Sequence, residues 1–174
     1  MIFAIVGPSG AGKDTLIAGA IKMRPELRLV RRVITRPAQA GGEDFEGISE
    51  EAFAKRKGSG EFALDWQAHG LAYGIPKVQI DGPGDFIFNG SRAALHIAHT
   101  AFPDLRVIVI TAPLATLAER LAARGRETKD DIRARLVRAA FILPKDRRFV
   151  TVMNDATPEI GIARMLAALQ PVRA

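Results

Sequence analysis

The chain has 174 residues, 48% hydrophobic and 25% charged, a balance that suits one globular domain with its own core and argues against disorder. It has no cysteine, which excludes a disulfide framework, a thiolate zinc site and a cysteine nucleophile. The formal charge of +6 comes from 18 Arg and 7 Lys against 19 acidic residues, so the partner is expected to carry phosphate, as nucleic acid or as a small phosphorylated substrate.

Met1 to Val6 reads as a first buried strand, Gly7 to Gly12 as a turn, and Lys13 to about Lys22 as a helix. Leu27 to Ile34 reads as one second strand, and Thr35 to Gly47 as an ordered loop or small insert. Ser49 is placed to cap a helix over Glu50 to Lys57. Glu61 to Gln67 and Leu71 to Ile75 are short strands around a turn at His69 and Gly70. Asp85 to Asn89 is a strand, Ser91 to Ala101 a helix, and Leu105 to Thr111 the clearest buried strand of the chain. A helix follows Pro113 to about Arg124, and another runs from Thr128 to about Leu143. Phe149 to Met153 is a last strand and Pro158 to Leu169 a closing helix. Strands alternating with helices predict an α/β fold with a parallel sheet of about five strands. No apolar run approaches the ~20 residues that span a bilayer, and the N-terminus lacks the features of a signal peptide, so a cytoplasmic protein without membrane contact is expected.

The strongest motif is Gly7-Pro8-Ser9-Gly10-Ala11-Gly12-Lys13, which fits G-x-x-x-x-G-K between a strand and a helix. Glycines let the backbone curl so that its N–H groups face a phosphate, the helix N-terminus adds partial positive charge, and Lys13 reaches the β and γ phosphates of a nucleotide. The residue after the lysine is Asp14, followed by Thr15, where a Ser or Thr usually ligates Mg²⁺. A carboxylate is itself a hard oxygen ligand, so Asp14 can hold Mg²⁺ directly or through water. The alternative is an acid placed to suit the helix dipole.

Six arginines, Arg120, Arg124, Arg126, Arg133, Arg135 and Arg138, fall within nineteen residues around the helix break at Gly125. Such a segment can fold over phosphates as a lid, although several of these side chains also suit a solvated charged face. A second group is Arg31, Arg32 and Arg36. Strand alternation sends Arg31 and Arg32 to opposite faces, and Arg32 and Arg36 lie near the strand's carboxyl end, where ligands of open α/β sheets bind. His96 and His99 share a helix face but lack an acidic pattern for a metal. One Trp, one Tyr and no basic tail argue against nucleic acid as the partner.

The loop GPSGAGKDT, the segments ITRPAQAGGE and LDWQAHGLAYG, the arginine-rich RLAARGRE and IRARL, and the late VMND together resemble the guanylate kinase superfamily over nearly the whole chain. Within it, the GKD of the loop, the arginines from Arg31 to Arg36 and FNGSRA at Phe88 to Ala93 resemble the ribose 1,5-bisphosphate phosphokinase family. The resemblance implies a single three-layer P-loop kinase domain with a core over 1–36 and 80–174, an acceptor-binding insert over about 37–79 and a lid over about 124–140. It implies ATP and Mg²⁺ as cofactors and a phosphorylated sugar as acceptor, converted to 5-phosphoribosyl 1-diphosphate in phosphonate catabolism. A homodimer is left open.

The resemblance also distributes roles. Lys13, Arg124 and Arg135 are expected to be catalytic, and Gly7 to Thr15, Arg124 and Asn154 to hold ATP, with Asn154 near the adenine. Arg36 and Tyr73 match readers of the acceptor phosphate, while the second such arginine is Gln39 here and the downstream tyrosine gives way to Phe45. The guanine readers of the superfamily are replaced by Arg32, Ile75 and Asn89, and Asp65 alone keeps a carboxylate. A site that loses its hydrogen-bonding partners for a base loses discrimination for that base steeply. Gaining Arg32 and Arg92 suits an acceptor with two phosphates and no base. The alternative is a guanylate kinase-like nucleoside monophosphate kinase acting on GMP. A non-catalytic binding module is disfavoured because Lys13, Arg124 and Arg135 are all present.

Overall fold

A computed structural model describes residues 1–37, 43–123, 133–134, 137 and 149–170. The described strands are β1 (Ile2–Val6), β2 (Leu27–Leu29), β3 (Arg32–Ile34), β4 (Phe45–Gly47), β5 (Phe62–Ala68), β6 (Leu71–Pro76), β7 (Asp85–Asn89), β8 (Arg106–Thr111) and β9 (Phe149–Met153). The described helices are α1 (Lys13–Met23), α2 (Glu50–Gly58), α3 (Leu95–Ala101), α4 (Leu114–Ala123) and α5 (Pro158–Ala168). No described helix is long and apolar enough to cross a membrane. The chain divides into two compact units, Met1–Ala4 with Pro25–Leu105, and Ile5–Arg24 with Arg106–Ala174.

A central five-stranded sheet has the order β2-β7-β1-β8-β9, with β2 parallel to β7 and β8 parallel to β9. Strands covered on both faces must be apolar nearly throughout. Phe3, Ala4, Ile5 and Val6 of β1, Phe86, Ile87 and Phe88 of β7, and Val107, Ile108 and Ile110 of β8 are accordingly buried. A helix contributes one stripe, such as Leu16, Ile17 and Ala20 of α1 or Leu117 and Leu121 of α4.

The second sheet has the order β4-β3-β6-β5. Strands β5 and β6 form an antiparallel hairpin whose turn takes positive φ at both His69 and Gly70, the twist that suits a two-residue hairpin. Helix α2 closes this sheet. The Ser49 hydroxyl accepts from the Ala52 N–H at its start, acids fill its first turn and bases its last, so the ends complement the helix dipole. Val33, Phe53 and Phe62 make the core of this layer, with the two rings stacked at 4.7 Å.

The single strand expected over Leu27 to Ile34 is two strands in two sheets. The reason is local. After Val30 donates to Ile87 O at 2.9 Å, the carboxamide of Gln79 takes over both backbone groups of Arg31, accepting from its N–H at 2.6 Å and donating to its C=O at 2.8 Å. With its ladder partners replaced by a side chain, the chain leaves the first sheet, and Arg32 enters the second beside β4 and β6. The loop expected from Thr35 to Gly47 likewise contains β4. The helix expected from Ser91 starts as a 3₁₀ turn, Arg92–Ala94, before α3.

Phe53→Ala removes one of two stacked rings from this small core and is expected to cost about 3–5 kcal/mol in urea denaturation. Val78→Ala, at a side chain 80% exposed, should change stability by no more than about 0.5 kcal/mol.

Candidate active site

The loop from Gly7 to Gly12 follows the buried end of β1 and opens α1, as a phosphate-binding loop requires. Its curl depends on residues without a side chain. Gly7 has φ +152° and a Cβ there would lie 2.0 Å from Ile110 O, while Gly12 has φ +87° and a Cβ there would lie 2.5 Å from Asn154 Nδ2. Ala11 N–H donates to Pro8 O at 3.3 Å, and Lys13 Nζ folds back over the loop to donate to Gly7 O at 3.0 Å and Pro8 O at 3.1 Å. The ammonium is thereby held over the curl it belongs to. Asp14 and Thr15 are exposed in the first turn of α1.

The loop is pinned from behind by residues far along the chain. Asn154 is 6% exposed, and its Nδ2 donates to Ala11 O at 2.8 Å. Its own backbone N–H donates to Thr111 O at 2.7 Å, and its C=O accepts from Arg120 at 3.1 Å. Arg120 also reaches Gly10 O at 3.5 Å. Asn154 therefore lies under the loop, packed between Gly12 and Gly161. Arg120 belongs to the arginine-rich segment by sequence, but its contacts bind α4 to the loop. Arg124 and Arg135, the two arginines expected to be catalytic, lie outside the described residues, as does Gln39. Arg133, in the same segment, is helical and exposed.

The other compact unit contains the residues expected to bind the acceptor. Arg32 is buried, with its guanidinium 5.1 Å from the Tyr73 ring centre and 5.8 Å from that of Trp66. Trp66 and Tyr73 pair across β5 and β6 and stack at 5.2 Å, nearly parallel. Arg32 also forms an ion pair with Glu43, whose second oxygen accepts from Asn89 Nδ2 at 3.3 Å. Arg36 stacks on Phe45 at 4.2 Å and lines an open cavity of about 450 Å³ with Thr35, Pro37, Ile48 and Ser49. Burial pushes the Tyr73 phenol up, against the opposing influence of Arg32 and Arg36, so it stays protonated and able to donate at neutral pH. Burial pulls the Arg92 guanidinium down, which leaves it a cation at neutral pH.

Asp65 stands apart from this group. Its carboxylate meets Lys57 Nζ at 2.5 Å, and the pair is partly exposed. Arg32, Tyr73 and Asn89 are thus brought together, Arg36 and Arg92 belong to the same unit, and Asp65 is bound to a base. Glu43, Trp66 and Lys57 escaped the sequence reading. Glu43 stands within a segment quoted there, but nothing in its spacing signals that it meets Arg32 and Asn89. Among the described residues no cluster of three or more His, Asp or Glu could hold a metal ion.

No family model matches the chain. It is 45% identical over 175 residues to a ribose 1,5-bisphosphate phosphokinase PhnN from Rhizobium etli, covering 97% of this chain and 89% of that one. The chain belongs to the ribose 1,5-bisphosphate phosphokinase family. It is also 43% identical over 173 residues to a bifunctional ribose 1,5-bisphosphokinase-thymidine phosphorylase from Cupriavidus pinatubonensis, with 97% of this chain covered. This chain spans 29% of that bifunctional relative, and 25% to 29% of two others like it. Among solved structures it is similar to guanylate kinase from Anaplasma phagocytophilum, with a TM-score of 0.67, 18% identity, and 97% and 85% of the two chains covered. At that identity the likeness concerns the fold, and the α/β architecture expected from the strand and helix alternation is the one found.

Asn154→Ala leaves the carbonyl of Ala11 buried without its donor and is expected to lower stability by about 1–3 kcal/mol in denaturant titration. Asn154→Asp, which replaces the donating amide by an acceptor, should recover none of that loss.

Proposed function

We propose that this chain transfers the γ-phosphoryl group of ATP to the 1-phosphate of ribose 1,5-bisphosphate, giving 5-phosphoribosyl 1-diphosphate and ADP. The observation that carries the reading is the charge pattern of the acceptor unit. Arg36 and Arg92 belong to it, Arg32 is paired with Glu43, and Asp65, the one carboxylate at a guanine-reading position, is taken up by Lys57. Arginine's planar fork suits phosphate, and a carboxylate held by a lysine is a poor acceptor for a purine's N–H groups. Family membership supports the same acceptor.

The attacking group is an oxygen of the sugar's 1-phosphate. It is already anionic near neutral pH, so the reaction needs no strong general base. A bond forms between that oxygen and the γ phosphorus as the bond from the γ phosphorus to the β-bridging oxygen breaks, and ADP leaves with the electron pair. Catalysis is then positioning and charge stabilisation. Lys13 and the loop N–H groups hold the β and γ phosphates, and Asn154 keeps that loop in its curl through Ala11. Asp14, an exposed carboxylate beside Lys13, fits Mg²⁺ as a hard oxygen ligand alongside phosphate oxygens. When bound, Mg²⁺ would supply positive charge to offset that of the transferring group. Arg124 and Arg135 would stabilise the transferring group. Arg36, Tyr73 and Arg92 would hold the acceptor phosphates, with Arg32 and Asn89 beside them.

The reading is tested by ADP release from MgATP with ribose 1,5-bisphosphate or GMP as acceptor. Turnover is expected with the sugar bisphosphate, and turnover with GMP alone would overturn the assignment. Lys13→Ala should lower kcat by about a thousandfold while the variant still folds, since the Lys13 ammonium bonds the carbonyls of Gly7 and Pro8 at the surface of the loop rather than the core. Near-normal turnover by that variant would reject the nucleotide site.

A further inference from the structure

Glu43 has no role in the phosphoryl transfer as described, yet two side chains hold it in the acceptor unit. Its side chain is 19% exposed and that of Arg32 is 9% exposed. One carboxylate oxygen takes the Arg32 guanidinium and the other takes the Asn89 amide. Arg32 is itself fixed over the Tyr73 and Trp66 rings, and its Nε is buried without a hydrogen-bond partner among the described residues. The result is a carboxylate with a set position and part of its surface still exposed.

Its chemistry limits what it can read. A carboxylate has about four lone-pair positions, of which Arg32 and Asn89 use two. What remains accepts hydrogen bonds and repels phosphate. Arg32, with its charge already balanced by Glu43, contributes little net attraction for an anion. The groups of a pentose 1,5-bisphosphate that can donate are its hydroxyls, which in the furanose ring are the neighbouring pair on C2 and C3.

Resting on the reading of the acceptor as a sugar bisphosphate, we propose that Glu43, held by Arg32 and Asn89, accepts hydrogen bonds from the sugar hydroxyls and selects ribose over 2-deoxyribose. Glu43 is then a specificity-determining residue, and Arg32 and Asn89 position it. A site built to bond a hydroxyl discriminates against the analogue lacking it, because its own polar group is left unpaired.

The test compares kcat/KM for ribose 1,5-bisphosphate and 2-deoxyribose 1,5-bisphosphate in the parent, Glu43→Gln and Asn89→Ala. The parent should prefer ribose by tenfold or more. Glu43→Gln should reduce that preference by about tenfold, mostly through a higher KM for the ribose compound. Asn89→Ala should shift it the same way by less, and it decides the matter if Glu43→Gln does not fold. A merely structural role would lower both rates and leave their ratio alone, which would overturn the proposal. Tighter binding of the ribose compound by Glu43→Gln would also overturn it, since Glu43 would then be a counter-ion that phosphate displaces. Absence of turnover by the parent with ribose 1,5-bisphosphate would reject the acceptor assignment itself, before any variant is compared, and this proposal with it.

Discussion

A backbone loop that offers its N–H groups to phosphate needs support on its other side, because its carbonyls then point away from the ligand and must be satisfied inside the protein. In this chain that support is the side-chain amide of Asn154 on Ala11 O, backed by Arg120 on Asn154 O and Gly10 O. The glycines at Gly7 and Gly12 allow the curl because the space beside them is already filled by Ile110 and Asn154. Lys13 completes the loop by bonding its carbonyls. The order of β1, β8 and β9 in the sheet, and the length of α4, matter to function through this one contact set.

The acceptor unit solves a different problem, that of keeping cations in a partly buried layer. A buried guanidinium is costly unless its charge is balanced and its donors are used. Arg32 is balanced by Glu43 and faced by two aromatic rings. Arg56 is balanced by Glu46 and Glu61 at the edge of the same sheet, where those carboxylates hold its guanidinium above even its ordinary value. Arg36 is placed over Phe45 and opens on a cavity. Arginines that look alike in sequence thus take different settings: Arg32 and Arg56 pair with carboxylates, and Arg36 stacks on an aromatic ring at the mouth of a cavity.

The family includes chains of two kinds. Relatives similar over most of their length carry the name of a ribose 1,5-bisphosphate phosphokinase, while the bifunctional relatives carry a region like this one within much longer chains. In this chain the stretch Met1–Ala4 with Pro25–Leu105 forms one compact unit.

The phosphate loop, the strands from Asp85 and Phe149, the cap at Ser49 and the hairpin turn at His69 and Gly70 were all legible in the sequence. Each is set by local rules of period, capping or turn geometry that act within a few residues. The break of Leu27 to Ile34 into two strands was not legible, because it depends on a glutamine forty-eight residues away that replaces the ladder at Arg31. The seat of Asn154 beneath the loop and the meeting of Arg32, Glu43 and Asn89 were hidden for the same reason. Residue types by themselves pointed to phosphate as what this chain handles. Which carboxylate pairs with Lys57, and which with Arg32 and Asn89, was decided by long-range pairing that only the tertiary structure makes.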